Sequence, residues 1–195
     1  MDNEHEERNR FLTIPNILSI SRILLVPVFL VMIIQGKAFE ALAVFLLAGS
    51  TDLLDGLIAR QWHQKTKIGT LLDPAADKLL ATPTFIVLSL SSLKLPNIIP
   101  VWLTISVIGR DVLIITGALV AFKLRGQKSF NPSIFGKAST VCQFSVIFFV
   151  LLLNYVQKSP LYLSWLYVVT LFFTLVSGIH YVMIGSKMIL PSKQS

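Results

Sequence analysis

Residues 52–77 read DLLDGLIARQWHQKTKIGTLLDPAAD, a stretch with four aspartates in a chain that is otherwise poor in acidic residues: Asp52, Asp55, Asp73 and Asp77. The first two are three residues apart and the last two are four apart, so each pair lies on one face of a helix. A carboxylate at membrane depth costs about 2.5–3.5 kcal/mol on insertion scales. Because apolar segments flank the stretch on both sides, four such carboxylates require a compensating ligand.

Between the two pairs, residues 61–68 form a short polar link. We therefore expect the two helices to pair antiparallel and to bring the four carboxylates together. Like charges at close range repel one another strongly. One or two divalent cations remove that conflict, and oxygen ligands favour Mg²⁺, Mn²⁺ or Ca²⁺ over zinc. Asp73 before Pro74, taken singly, also fits a helix N-cap. Asp52 and Asp55 stand inside a hydrophobic segment, where capping does not explain them.

The composition is that of a membrane protein. Of the 195 residues, 54% are hydrophobic and 14% are charged, whereas a soluble domain carries about 25% charged residues. Disorder is excluded by the apolar content, and a disulfide framework is excluded by the single Cys142. A net charge of +7 in so apolar a chain favours anionic lipid or phosphate partners over nucleic acid. The polar residues 1–10 do not read as a secretory signal.

Six apolar stretches reach or nearly reach the roughly 20 residues that a membrane-spanning helix needs. Of the Lys and Arg residues in loops and ends, eleven fall on one side and three on the other. The positive-inside rule then places both termini and the polar link, residues 61–68, in the cytoplasm. We expect an all-α integral membrane protein with six transmembrane helices, N-in and C-in, at residues 17–35, 38–58, 75–93, 98–122, 134–156 and 161–184.

A single membrane domain accounts for this organisation. The two halves of the chain do not mirror each other in the way that an inverted-repeat transporter requires. We expect a cytoplasmic N-terminal segment over residues 1–13, one transmembrane domain over 14–190 and a short C-terminal tail over 191–195.

Small residues and a cation surround the aspartates. Gly56 and Ala59 share a helix face with Asp52 and Asp55, which leaves room for a flat group or for close backbone approach. Helix packing alone would also favour small residues there. Arg60, at the end of this face, is a fixed cation suited to phosphate.

Other cations lie in or beside the apolar segments, at Arg22, Lys78, Arg110 and Lys137. Asp111 is their acidic neighbour outside the Asp-rich stretch, so we expect substrate phosphates, the four aspartates or water to supply further counter-charge. Arg22, Lys78 and Lys137 are near enough to segment ends to extend toward lipid headgroups. Arg110 lies ten or more residues inside an apolar stretch, where that explanation is weaker.

Residues 52–77 resemble the signature of the CDP-alcohol phosphotransferase family, D-x2-D-G-x2-A-R-x8-G-x3-D-x3-D, at every fixed position. The resemblance extends over nearly the whole chain. Ile14-Pro15-Asn16 with Arg22, Gly109-Arg110-Asp111 and Gly136-Lys137 are similar to the phosphatidylglycerophosphate synthase and eukaryotic-type cardiolipin synthase branch.

The resemblance implies a role for each matching residue. It implies that Asp52, Asp55 and Asp73 bind divalent metal, as two ions of Mg or Mn. It also implies that this metal contacts the diphosphate of a CDP-linked donor. Asp77 is implied as the general base and as a further metal ligand. The residues implied to shape the CDP pocket are Asn16, Gly56, Ala59, Arg60 and Gly69.

We therefore expect a membrane enzyme that transfers the phosphatidyl group of CDP-diacylglycerol to glycerol 3-phosphate by in-line attack and releases CMP. Arg22, Arg110 and Lys137 are expected to bind the acceptor phosphate, because a dianion makes strong charge-assisted bonds. Phosphatidylglycerol as acceptor, giving cardiolipin, is the alternative within the family. Membrane lipids are expected partners, nucleic acid is not, and a homodimer stays open.

The active site is expected to face the cytoplasmic side of a bacterial inner membrane. A cation transporter would also use membrane aspartates. Transport does not explain Arg60, the signature glycines Gly56 and Gly69, or the further basic residues in the apolar segments. A structural membrane protein would leave four costly carboxylates unused.

Overall fold

The computed structural model describes residues 14–61, 69–125 and 133–189, with side chains over 20–51, 78–117 and 133–184. These ranges contain helices and no strand, which confirms the all-α prediction. A short 3₁₀ turn at Ser91–Leu93 follows the third helix. The helices are α1 Ile14–Ile34, α2 Ala38–Gln61, α3 Gly69–Leu88, α4 Val101–Arg125, α5 Ile134–Val156 and α6 Tyr162–Ile189.

The helix boundaries differ most from expectation in α3. It begins at Gly69, six residues before the predicted start, and it ends at Leu88. Asp73 and Pro74 therefore lie inside the helix, and Asp73 is not its N-cap. Beyond Leu88 the chain turns through Ser91–Leu93, and Lys94 adopts a left-handed conformation with φ 49°, which ends the helical path before Pro96.

Two helical segments in the described ranges are long and apolar enough to cross a membrane, Ile134–Val156 and Tyr162–Ile184. Shorter apolar helical stretches occur at Ile20–Ile34, Ala38–Thr51 and Lys78–Leu88.

Helix α1 is the centre of the first half of the bundle. It packs extensively against both α2 and α3, whereas α2 and α3 do not pack extensively on each other within the described residues. The expected pairing of these two helices falls on residues 52–77, whose side chains lie outside the described residues. Bulky side chains fill the space: Phe29 of α1 stacks on Phe45 of α2 with ring centroids 6.1 Å apart, and Phe45 stacks on Phe144 of α5 at 6.0 Å.

The second half of the bundle is built around α6, which packs against α4 and α5. Contacts of α5 with α2 and α3, and of α3 with α4, join the halves. Buried hydroxyls line the α5–α6 interface, where Ser139 and Thr174 hydrogen-bond at 3.2 Å and Gln143 Nε2 donates to Ser139 Oγ at 3.2 Å.

An asparagine pair joins the loop before α4 to the end of α5. The backbone N–H of Asn97 donates to Asn154 Oδ1 at 2.8 Å, and Asn154 Nδ2 donates to the Asn97 carbonyl at 3.0 Å. Asn97 Nδ2 also donates to the Lys158 carbonyl at 2.7 Å. Both asparagines are buried, and a buried hydrogen-bonded network of this kind favours one arrangement of the helices.

Candidate active site

The buried face of α2 leads directly to the first aspartate pair. Ala41, Phe45 and Ala48 are buried, and they recur at the spacing of one helical face. Positions 52 and 55 continue this face, because α2 runs unbroken to Gln61. Asp52 and Asp55 therefore occupy the last three turns of α2 on its bundle-facing side.

The buried face of α3 leads in the same way to the second aspartate pair. Leu80 and Thr84 are 3% and 0% exposed, and positions 73 and 77 lie on their face one and two turns earlier. All four aspartate positions thus lie on bundle-facing sides, at the ends of α2 and α3 that adjoin residues 62–68.

The side chains of residues 52–77 lie outside the described residues, so the backbone register alone places the predicted metal ligands. The same applies to the predicted donor-site residues, Asn16, Gly56, Ala59, Arg60 and Gly69. Among the described side chains no group of three or more His, Cys, Asp or Glu residues could hold a metal. The register of the four aspartates is nevertheless compatible with a metal site, because all four positions continue the buried faces of α2 and α3. Carboxylates supply the oxygen donors that Mg²⁺ and Mn²⁺ prefer.

A cavity of about 600 Å³ lies beside the aspartate positions, between α1, α2, α3 and α5. Gly49 of α2, one turn before Asp52, is part of its wall. Its polar lining includes Arg22, Ser50 and Thr140, and its apolar lining includes Phe45, Phe144 and Phe148. The lining is therefore amphipathic: it is mainly apolar, and its polar groups are Arg22 and the hydroxyls of Ser50, Thr140 and Ser145.

One of the three predicted acceptor-phosphate residues, Arg22, lines this cavity, and a second, Lys137, lies one helical turn from its wall. Arg22 is 1% exposed and lines it directly. Lys137 is exposed and lies on the α5 face that carries the cavity residues Thr140, Val141 and Phe144, one turn nearer the helix start.

Arg110 lies instead in an ion-pair network centred on Asp111. Lys78 Nζ is 2.5 Å from Asp111 Oδ2, and Arg110 Nη1 is 2.8 Å from Asp111 Oδ1. Arg110 and Asp111 are 8% and 7% exposed. The sequence singled out Asp111 as the acidic neighbour of these cations, and the structure pairs it with both Lys78 and Arg110.

The Arg110 guanidinium is also bound by α5 and α6. Its Nε and Nη2 donate to Ser177 Oγ at 3.2 and 2.9 Å, Nη2 donates to the Gly136 carbonyl at 3.5 Å, and its carbon lies 5.8 Å from the centre of the Tyr181 ring. With the bond to Asp111, these contacts use four of the five guanidinium N–H groups. The fifth, on Nη1, has no acceptor among the described residues.

Sequence reasoning missed Ser177 and Tyr181, and it gave Gly136 no packing role. A Cβ on Gly136 would lie 3.0 Å from the Tyr181 hydroxyl, 3.2 Å from Ser133 Oγ and 3.3 Å from Arg110 Nη2. Ser133 caps α5 by accepting a hydrogen bond from the Gly136 N–H at 2.9 Å. The cap was visible as a serine before the helix, but contacts of Gly136 with Arg110 and Tyr181, 26 and 45 positions away, leave no local pattern.

Comparison with known proteins agrees with the resemblance drawn from residues 52–77. Residues 12–178 match the family model described as CDP-alcohol phosphatidyltransferase. The chain is 38% identical to a cardiolipin synthase (CMP-forming) of Rattus norvegicus over 194 residues, covering 90% of this chain and 62% of the relative. The corresponding human protein is 37% identical over the same shares.

A third relative is close to this chain in length. A CDP-diacylglycerol--glycerol-3-phosphate 3-phosphatidyltransferase of Aquifex aeolicus is 32% identical over 180 residues, covering 91% of this chain and 98% of the relative. The chain spans about 62% of the length of the two mammalian relatives. With the signature complete and the family model matched from residue 12 to residue 178, the chain belongs to the CDP-alcohol phosphatidyltransferase family.

Proposed function

We propose that the protein transfers the phosphatidyl group of CDP-diacylglycerol to glycerol 3-phosphate and releases CMP, as a step of phospholipid biosynthesis. The observation that carries the proposal is the register of the four aspartates, which lie on bundle-facing sides of α2 and α3 beside an amphipathic cavity. The name of the Aquifex aeolicus relative describes the same reaction.

Members of this family generally depend on divalent metal. We assign two ions, Mg²⁺ or Mn²⁺, to Asp52, Asp55, Asp73 and Asp77. When bound, such ions neutralise the donor diphosphate, which is the main requirement of phosphoryl transfer. The residues assigned to the CDP pocket are Asn16, Gly56, Ala59, Arg60 and Gly69.

The chain's own residues supply the proton transfer and the positioning. A carboxylate oxygen of Asp77 accepts the proton of the acceptor's primary hydroxyl. That hydroxyl oxygen forms a bond to the β-phosphorus of the donor while the bond from this phosphorus to the CMP oxygen breaks. Arg60 offsets charge on the donor, and the amphipathic cavity suits a lipid whose phosphate lies near Arg22.

The acceptor phosphate is assigned to Arg22, Lys137 and Arg110. Arg22 lines the cavity, Lys137 lies one helical turn before the cavity residue Thr140, and Arg110 retains one N–H on Nη1. A dianionic phosphate forms charge-assisted hydrogen bonds about twice as strong as neutral ones.

Lys137→Ala is expected to raise the KM for glycerol 3-phosphate roughly tenfold and to leave the KM for CDP-diacylglycerol nearly unchanged. Steady-state kinetics with purified protein would measure both constants. Lys158→Ala is the matched control, because it removes an exposed lysine beyond the opposite end of α5. Equal effects of the two substitutions would contradict the assignment of Lys137.

Phosphatidylglycerol is the second candidate acceptor, and the comparisons favour it, since the rat and human relatives are named cardiolipin synthases. The aromatic lining of the cavity also suits a second lipid. Purified protein supplied with CDP-diacylglycerol and each acceptor in turn would decide, with products identified by mass spectrometry. Phosphatidylglycerophosphate is the product expected here, whereas cardiolipin from phosphatidylglycerol with no reaction of glycerol 3-phosphate would replace the proposed acceptor.

The proposal includes an arrangement in the membrane. Helices α1 to α6 would all span, with both termini and the active site on the cytoplasmic side of a bacterial inner membrane. Residues 14–190 would form the transmembrane domain, with residues 1–13 and 191–195 as cytoplasmic ends. The distribution of basic residues supports this orientation. A homodimer is part of the proposal and can be tested by cross-linking in membranes.

Cysteine labelling of intact cells would test the orientation. In a Cys142→Ser background, cysteines introduced at Lys37 and Lys158 are expected to react with an impermeant thiol reagent. Cysteines at Lys65 and Lys128 should react only after the membrane is opened. The reverse pattern would place the signature on the outer side.

A further inference from the structure

Lys78 of α3 and Asp111 of α4 form an ion pair beside the proposed metal site. Their charged atoms are 2.5 Å apart, and the Asp111 side chain is 8% exposed whereas that of Lys78 is 34% exposed. Position 78 directly follows position 77, the proposed general base. Among the described cations, Lys78 is therefore the nearest in the chain to the four aspartates.

Helix α3 offers Lys78 no carboxylate of its own at helical spacing. Side chains three or four residues apart face each other on a helix, and for Lys78 those positions hold Pro74, Ala75, Ala81 and Thr82. The neutralising carboxylate comes from another helix, α4. The ion pair thus determines on which side of α3 the ammonium lies.

Asp111 neutralises two cations, but they depend on it unequally. Without Asp111, Arg110 would keep its hydrogen bonds to Ser177 and the Gly136 carbonyl and its contact with the Tyr181 ring. Lys78 has Asp111 as its ion-pair partner in the described part of the chain. Loss of the Asp111 charge would therefore release Lys78 and leave Arg110 in place.

A released Lys78 ammonium would be free to move, because it is carried on a flexible four-carbon stem. It starts one residue from Asp77 in the chain, so we expect the negative charge of the signature to attract it. An ammonium ion near a carboxylate cluster repels a divalent cation bound there. It would compete with the metal for the same oxygens.

We propose that Asp111 is a positioning residue that holds the Lys78 ammonium on the α4 side of α3 and so keeps the signature aspartates available to metal. This inference rests on the metal site of the proposed function. It assigns Asp111 a role through Lys78 and gives it no contact with substrate.

Binding of Mn²⁺ to the purified protein, followed by the electron paramagnetic resonance signal of free Mn²⁺, tests the proposal without measuring activity. Asp111→Asn is expected to raise the Kd for Mn²⁺ about tenfold. The double variant Asp111→Asn with Lys78→Gln is expected to return to within about twofold of the wild-type Kd, because the competing ammonium is gone. Ser177→Ala is the matched control: it removes two hydrogen bonds of Arg110, so it should lower the Tm and leave the Kd unchanged.

Equal weakening in the single and double variants would overturn the proposal, because Asp111 would then act through packing alone. A wild-type Kd in Asp111→Asn would overturn it as well. If Asp111→Asn is not recovered folded, the double variant Asp111→Asn with Lys78→Gln decides. Weak Mn²⁺ binding by the double variant contradicts the proposal, and a wild-type Kd supports it. A wild-type protein that binds no Mn²⁺, or binds it equally well as Asp73→Asn, would refute the proposed metal site, and the inference would fall with it.

Discussion

Chelation of divalent metal with EDTA is expected to lower phosphatidyl transfer by the purified protein at least about a thousandfold. Without cations, the four carboxylates of the signature repel one another and the donor diphosphate has no counter-charge. Release of CMP from CDP-diacylglycerol measures the effect. Mg²⁺ or Mn²⁺ added in excess of the chelator should restore the rate.

Protein treated with the calcium- and magnesium-loaded chelator is the control for effects of EDTA on the detergent or the fold. Full activity in thoroughly chelated protein would remove the metal from the proposed site. It would also leave four aspartates on bundle-facing sides without a compensating ligand.

Asp77→Asn is expected to lower kcat by about 10²–10⁴-fold, the range that general-base catalysis supplies, with the KM for CDP-diacylglycerol changed little. The amide is close in shape to the carboxylate but does not accept the proton of the acceptor hydroxyl. Steady-state kinetics at saturating metal would separate the two constants.

Asp52→Asn, Asp55→Asn and Asp73→Asn provide the contrast, because those residues are assigned to metal and not to the proton. They should raise the metal concentration needed for half-maximal activity and the KM for the donor. Near-normal turnover in Asp77→Asn would place the base elsewhere and leave the metal assignments intact.

The all-helical architecture was predictable because apolar runs of about 20 residues have few alternatives to helix in a membrane. The start of α3 was harder to predict. Asp73-Pro74 has the pattern of a helix beginning, but the helix starts at Gly69, where the polar link to α2 ends. A local pattern of two residues did not reveal that the preceding turn was helical as well.

Family membership was also predictable, since the signature matches at every fixed position and the family model covers residues 12–178. The roles of the four aspartates stay a prediction. The ion-pair partner of Lys78 and the hydrogen-bond partner of Arg110 on α6 could not be predicted from the sequence. Lys78 meets Asp111 through packing of α3 on α4, and Arg110 meets Ser177 through packing of α4 on α6. The members of each pair are far apart in the chain and leave no periodic pattern. Nor does hydropathy show that α1 packs against both α2 and α3, because all three helices carry similar apolar faces.

The asparagine pair that joins Asn97 to Asn154 constrains the order in which the chain can mature at the ribosome. The two residues are 57 positions apart, so Asn97 is synthesised well before its partner. Its amide would be costly to bury in lipid without hydrogen bonds. We therefore expect the loop before α4 to stay hydrated until α5 has been made, so that the packing of this loop against the end of α5 is completed late in biosynthesis.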